Sequence, residues 1–458
     1  MVGRWSKREL IRKMRIIVAT GLNAGDAEYR NMGDVAMLQA AAAKLLNIWP
    51  DAHIDILTDS PSNLARFCPG TSPLSRKGCA CWLKSRVLLG RYHKFLPERL
   101  SVKLSKIKTV IGLYWPSILD RLTLLKLRSR DPLGLRDSLI KYIEAVEQCD
   151  LMVVCGSGGF ADSCREWNFL TLSAIGGALE RGKTVAMFGQ GVGPLSDPVV
   201  LSCARRIFPK VDLIGLRGNE GGREMIARMG VNPAKVLTTG DEAIELAYEE
   251  RSKEPGNAVG INLRVASYAE VTSDYLNRVR SVLQNFARDH QAPLVPIPIA
   301  SHDYADDRKT IRRLLEGFDD SPDDCCTLDT PQKLFEQTAR CRIVVTGAYH
   351  AAVFALAQGI PVVCLYNSAY YLAKFNGLKG LFGCGSAVVN LGETNLSNKL
   401  AEALEECWNS ADRVRSPLLK AARRQIEMRK EAYFRVKEML EERSGKEQRT
   451  YDSCAITE

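Results

Sequence analysis

Thr346-Gly-Ala-Tyr-His350, preceded by the apolar run 343–345 and followed by Gly359-Ile-Pro-Val-Val-Cys-Leu-Tyr366, is the stretch whose reading decides the fold. The apolar run reads as a buried strand that turns at Thr346 and Gly347 into an alanine-rich helix, and 362–366 reads as the next strand. Strand, helix and strand in that order make one unit of a parallel sheet covered by helices. The first turn of the helix carries Tyr349 and His350. There the histidine sits beside unpaired backbone N–H groups and the positive end of the helix dipole, a place suited to an anion. It can equally cap or pack, so its role depends on what the other strand ends bring to it.

The same unit recurs along the chain. Strands are expected at 15–20, 53–57, 151–155, 184–188, 213–216 and 236–238, with helices at 35–46, 135–149 and 169–181. A polar stretch with Pro-Gly at 248–257 reads as a linker. Strands at 258–263, 293–299, 343–345, 362–366 and 387–391 then alternate with helices at 275–290, 308–316, 331–339 and 396–409. The expectation is an N-terminal Rossmann-like domain over 1–250, with a basic insertion at about 76–130, and a C-terminal Rossmann-like domain over 257–410. A long C-terminal helix over 411–443 and a polar, disordered tail over 444–458 complete the chain.

Length and composition fit this plan: 458 residues make two ordinary domains, and 46% apolar residues supply real cores. The 14 cysteines include no CxxC pair, and Cys79-x-Cys81 and Cys325-Cys326 lack metal-ligand spacing. Reduced thiols and no metal site are expected. The first apolar run, 16–19, is too short for a signal segment or a membrane span, so a cytoplasmic protein is expected.

Charge is unevenly spread. The block 76–130 holds fourteen Lys or Arg against Glu98 and Asp120, a local charge of +12 in a chain whose net charge is +10. Leu, Ile, Tyr114 and Trp115 interleave with the basic residues, a mixture suited to an anionic lipid surface at the inner face of a membrane. A solvated insertion packing its apolar stripe on its own domain is the alternative. No nucleic-acid-binding motif accompanies the block.

Open α/β sheets bind ligands beyond the C-terminal ends of their strands. Asn31-Met-Gly33-Asp34, the glycine stretch 156–162 with Gly158, Gly159 and Asp162, and the stretch 189–194 with Gln190, Gly191 and Gly193 all follow expected strands. So do Arg217, Asp241, Arg264, His302, Gly347, Tyr349 and His350. Two sheets facing each other would gather these groups across one cleft. Each has a plainer reading too. Asn31, Asp34, Asp162 and Asp241 are helix-capping types, the glycines make tight turns, and His302 suits an exposed loop. The aromatic segment 366–375 is either a sugar platform or core beneath the cleft.

Taken in order, Asn31-Met-Gly-Asp34, 156–162, Gly189-Gln-Gly-Val-Gly-Pro194, Arg217, Gly240-Asp241, His350 and Gly359-Ile-Pro361 resemble the polysaccharide pyruvyl transferase family over roughly 15–395. The resemblance implies a GT-B-like fold and transfer of pyruvate from phosphoenolpyruvate, as a ketal, onto a sugar. Such sugars belong to cell-surface polysaccharides or their lipid-linked precursors, and phosphoenolpyruvate is a co-substrate with no cofactor. It makes His350 and Arg217 the catalytic candidates. Arg264, Lys374, Gly347, Tyr349, Gly191 and Gly193 fall to the donor, and Asn31, Gly33, Asp34, Gly158, Gly159, Asp162, Gln190, Asp241 and His302 to the sugar side. The chain departs from the pattern in three places. Ala348 and Tyr349 stand where the family has Arg and Leu before the histidine, Gly221 replaces a Ser, and a Lys expected just past Tyr366 is absent, with Lys374 the nearest substitute. A GT-B nucleotide-sugar glycosyltransferase and a catalytically degraded glycan-binding protein at the membrane are the alternatives, the former lacking an acidic ribose-binding signature.

Overall fold

The computed structural model describes residues 13–19, 30–79, 81, 97–129, 131, 133–218, 220–318, 325 and 327–455. In the first half the elements run β1 (Arg15–Ala19), α1 (Met32–Ile48), β2 (His53–Thr58), α2 (Pro61–Phe67), β3 (Ser72–Ser75), α3 (Arg76–Cys79), α4 (Glu98–Tyr114), α5 (Pro116–Ser129) and α6 (Arg136–Gln148). They continue as β4 (Leu151–Val154), β5 (Ser157–Phe160), α7 (Arg165–Glu180), β6 (Thr184–Val192), α8 (Pro198–Ile207), β7 (Leu213–Leu216), α9 (Glu220–Arg228), β8 (Val236–Thr238) and α10 (Ile244–Glu249). The strands form one parallel sheet in the order β3-β2-β1-β4-β6-β7-β8, with β5 added onto β6. Along β1, Ile16 and Val18 enter one core while Ile17 and Ala19 enter another. Side chains alternate across a strand, so an unbroken apolar run needs helices on both faces of the sheet.

The second half runs β9 (Ala258–Asn262), α11 (Asp274–Asp289), β10 (Leu294–Pro296), β11 (Ser301–His302), β12 (Ala305–Asp306), α12 (Asp307–Leu315), α13 (Pro331–Ala339) and β13 (Cys341–Thr346). Then come α14 (Tyr349–Ala357), β14 (Val362–Tyr366), α15 (Ala369–Phe382), β15 (Ser386–Asn390) and α16 (Leu396–Ala455). A second parallel sheet, ordered β10-β9-β13-β14-β15, results. The deciding stretch folds as its residues dictate: β13 is buried from Ile343 on, and α14 opens one residue after its N-cap Ala348.

Three expectations are corrected. The two glycine stretches do not stay loops. Ser157–Phe160 is strand β5, and β6 continues through Gly189 to Val192, its register breaking between Met187 and Gln190 where Gly189 takes φ 61°. Helix α1 starts earlier than expected, so Asn31 is its N-cap and Gly33 and Asp34 lie in its first turn. The C-terminal helices are one. Helix α16 passes through Pro417 without a break and runs to Ala455, past the point where a disordered tail was expected.

That helix ties the halves together. Arg429 pairs with Glu245 at 2.8 Å and donates to the carbonyl of Glu242. Tyr433 stacks on Phe188 with ring centroids 3.8 Å apart and donates to Glu242 Oε1 at 2.6 Å. Glu242, fully buried, also accepts the Gly156 N–H at 2.8 Å, so a helix of the second half braces the glycine strand of the first. A buried carboxylate needs such a complete set of donors. No helix among the described residues is long and apolar enough to cross a membrane. Within the basic block, 80, 82–96 and 130 lie outside the described residues, and α3, α4 and α5 are what the structure shows of it.

Candidate active site

The strand ends of the two sheets meet across a cleft of about 530 Å³. Within it α1 meets α14. Asn31 Oδ1 accepts the N–H groups of Gly33 and Asp34 at 3.0 and 3.4 Å, fixing the first turn of α1. Against that turn lies His350: a Cβ placed on Gly33 would fall 2.0 Å from His350 Nδ1. Only a glycine lets the imidazole lie there. His350 is buried, and among the described residues its Nε2 has no hydrogen-bond partner, Asp241 Oδ2 lying 3.8 Å away. Burial, with help from the cations Arg217, Lys374 and Arg264, holds the imidazole well below its usual range, so the ring is neutral at pH 7.

Asp241 joins this point to Arg217. Its Oδ2 lies 3.1 Å from Arg217 Nη1, while its Oδ1 accepts the Ala243 N–H at 3.0 Å. Asp241 thus sits behind Arg217 in a turn before α10, whose N-cap is Ala243, and does not itself line the cleft. The Arg217 guanidinium rests 4.3 Å above the Tyr349 ring, so an N-terminal strand end touches the helix that carries His350. Lys374, on α15, stands 4.0 Å over the Tyr370 ring, and Tyr370 donates its O–H to the Gly158 carbonyl at 3.2 Å. Arg217 Nη2 and Lys374 Nζ come within 2.4 and 3.0 Å of where a Cβ on Gly158 would sit, and Arg217 Nε within 2.9 Å of one on Gly191. These glycines give up their side chains to two cations. Lys374 makes no ion pair among the described residues. Burial and the neighbouring Arg217 bring its amine down to about 7.

The remaining expected residues divide. Asp34, Gly159 and His302 line the cleft, His302 stacked on Tyr304 at 5.0 Å. Arg264 lines it too, but its charge is matched: Nε and Nη2 lie 2.6 and 2.7 Å from the two oxygens of Asp307. Asp307 also accepts from Asn262, Ile299 and Ala300, which makes the pair a buried clamp on the β9 end rather than a free donor cation. Asp162 turns away from the cleft and accepts from Ser196 and Asp197. Gln190 is buried, its amide donating to the carbonyls of Val154, Cys155 and Phe188, so it staples β4 to β6 and does not reach a sugar. Gly347 packs under Arg264, where a Cβ would lie 3.0 Å from the backbone nitrogen. Gly193, at φ 91°, turns the chain beside a side pocket of about 30 Å³ behind Arg217.

Sequence reading did not pick out Asp307, Glu242, Tyr268 or Trp167. Tyr268 and Trp167 line the cleft. The acidic pair Asp241-Glu242 after a strand was the one available signal for Glu242. Where the family pattern has an arginine, Ala348 is fully buried, leaving no cation at that position.

Two parallel sheets with their strand ends facing across a cleft, and titratable groups of both halves meeting in it, define an enzyme of the GT-B class. Residues 31–369 match the model of the polysaccharide pyruvyl transferase family, and the chain belongs to that family and is a transferase. The match runs from the N-cap of α1 to the first residue of α15, taking in strands of both sheets but neither β1 nor β15. Among solved structures, a UDP-N-acetylglucosamine 2-epimerase is similar at 12% identity, over 94% of this chain and 96% of that one, with a TM-score of 0.52. A UDP-GlcNAc 2-epimerase from Methanocaldococcus jannaschii aligns at 11% identity over 91% and 99%, and the glycotransferase of kitacinnamycin at 12% over 92% and 98%, each with a TM-score of 0.50. At such identities these likenesses speak for the fold alone. No curated protein matches the chain at a significant level.

Proposed function

We propose that this transferase moves pyruvate from phosphoenolpyruvate onto two hydroxyls of a sugar as a ketal, the sugar belonging to a cell-surface polysaccharide or a lipid-linked precursor of one. The observation that carries the reading is the convergence of Arg217 and Lys374 on the bare face of Gly158, next to a neutral histidine. Two cations crowded together with one carboxylate, Asp241, touching Arg217 favour an incoming anion, and phosphoenolpyruvate supplies a phosphate and a carboxylate.

The chemistry needs a proton delivered to the methylene carbon, attack of one sugar oxygen on the adjacent carbon, and displacement of phosphate by the second. Two C–O bonds form, the C–O bond to phosphate breaks, and one hydroxyl proton balances the methyl group while the other leaves with phosphate. His350 is the group for both transfers. A bound dianion beside it raises its basicity, so it gains a proton with the donor, gives it to the methylene carbon, and then accepts the proton of the attacking hydroxyl. Arg217 and Lys374 hold the departing phosphate. The aromatic wall of Tyr268, Tyr371 and Trp167 offers flat apolar faces to the sugar, and the cleft volume accommodates donor and acceptor together.

Incubation with phosphoenolpyruvate and a panel of sugar acceptors, read by phosphate release and by the ketal methyl signal in NMR, tests the reading. Acceptor-dependent phosphate release with ketal formation is expected. Release of nucleoside diphosphate from nucleotide sugars, with phosphoenolpyruvate untouched, would assign glycosyl transfer instead.

A further inference from the structure

We infer that the outward face of the α4–α5 hairpin docks on an anionic phospholipid surface. Of the ten strongly exposed large apolar or aromatic side chains among the described residues, eight lie between Leu100 and Leu133. Leu125 is 60% exposed, Ile118 52% and Trp115 46%. Their spacing is helical: Leu100, Ile107 and Val110 share one face of α4, and Ile118, Leu122 and Leu125 one face of α5. The opposite faces are already used. Leu113, Leu119 and Leu127 are buried, and the hairpin is pinned to α7 by the Ser117 N–H donating to Glu180 at 3.1 Å and by Arg181 beside Asp120 at 3.8 Å. The apolar stripes therefore point away from the protein by construction, and a patch of this kind marks an interaction surface.

Charge decides the occupant. Lys103 lies between the apolar residues of the outer face of α4, and Arg121 and Arg128 flank those of α5; all three are exposed and carry no ion pair among the described residues. Basic residues at the margin of Leu, Ile and Trp suit headgroup phosphates above and acyl chains below. A second copy of the chain is disfavoured, because stacking this face on itself brings its cations together. The placement also serves the cleft. Arg165 and Trp167, at the start of α7, line it, and the hairpin grips the same helix from Ser173 to Arg181. At 1.5 Å per residue that sets the cleft roughly 12–24 Å from the hairpin, within reach of a sugar on a lipid carrier.

The test is co-sedimentation of the full chain with vesicles of phosphatidylcholine alone and of phosphatidylcholine mixed with phosphatidylglycerol. Binding to the mixed vesicles only is expected, weakening as the Debye length falls from about 10 Å at 0.1 M salt to about 3 Å at 1 M. Joint neutralisation by Lys103→Gln, Arg121→Gln and Arg128→Gln should lower partitioning on the order of a hundred-fold, about five-fold per charge removed. The pair Ile118→Ser and Leu125→Ser should lower it as well. Both variants change exposed positions only and should keep the wild-type melting temperature and turnover on a soluble acceptor. Equal binding to neutral vesicles, no binding to anionic ones, or unaltered binding by both variants would overturn the inference. So would a dimer in light scattering that the serine pair dissociates, which would assign the face to self-association.

Discussion

His350 and Gly33, 317 positions apart in the chain, are in contact: the imidazole of the second half rests on the backbone of α1 in the first, where a Cβ would fall 2.0 Å from Nδ1. The glycine of the Asn-x-Gly-Asp motif thereby sets the position of the residue proposed to move protons. Gly33→Ala should push the ring aside, and because the new methyl would also lie 2.6 Å from His350 Cβ it should cost about 1–3 kcal/mol of stability. A misplacement of about 1 Å costs on the order of 10² in turnover. A folded variant with wild-type kcat would remove this contact from the account.

His350 is neutral in the free protein because it is buried among Arg217, Lys374 and Arg264. Binding of the anionic donor should reverse that bias. Titration calorimetry with phosphoenolpyruvate in buffers of different ionisation enthalpy should therefore show net proton uptake near pH 7, reduced in His350→Ala. Proton release on binding would contradict the assignment.

Lys374 titrates at about 7, lowered first by burial and then by Arg217. Its charge, and with it part of the pull on an anion, is present below that value and lost above it. Donor affinity should therefore fall as pH rises from about 6 to about 8, an expectation from the direction of this shift. In Lys374→Met the affinity should be low throughout and this limb of the profile flat. An unchanged profile in the variant would place the pH dependence elsewhere.

Arg264 and Asp307 form a buried pair with every oxygen of the carboxylate engaged. Removing one partner strands the other's charge, which costs about 3–5 kcal/mol. Asp307→Ala should lower the melting temperature strongly, whereas Arg217→Lys, which keeps a charge beside buried Asp241, should chiefly raise the donor KM. A mild Asp307→Ala with lost donor affinity would return Arg264 to the donor site.

The sequence made the sheet units legible wherever an apolar run was bounded by turn residues, as at 343–345, because burial on both faces demands such runs. It also marked strand ends that the fold brings together: His350, Arg217, Asp241, Gly33 and Gly158 meet. Which way a strand-end side chain turns depends on partners far along the chain. Arg264 finds Asp307 43 positions away, Gln190 finds the carbonyls of β4, and Asp162 finds Ser196. Local pattern carries no trace of those pairings. Helix α16 runs unbroken through Pro417, tied to the second half before it by Arg342 on Asp412 and to the first half after it by Tyr433 on Glu242 and Arg443 on Asp212. Lys374 gained its place from the fold of α15, in whose second turn it lies, past the position where the family pattern puts a lysine.

The most direct measurement is turnover of phosphoenolpyruvate with a competent sugar acceptor by wild type and His350→Ala under saturating donor. The account predicts acceptor-dependent phosphate release that falls by about 10² to 10⁴ in the variant, with the fold unchanged by circular dichroism. Equal turnover in His350→Ala would contradict it.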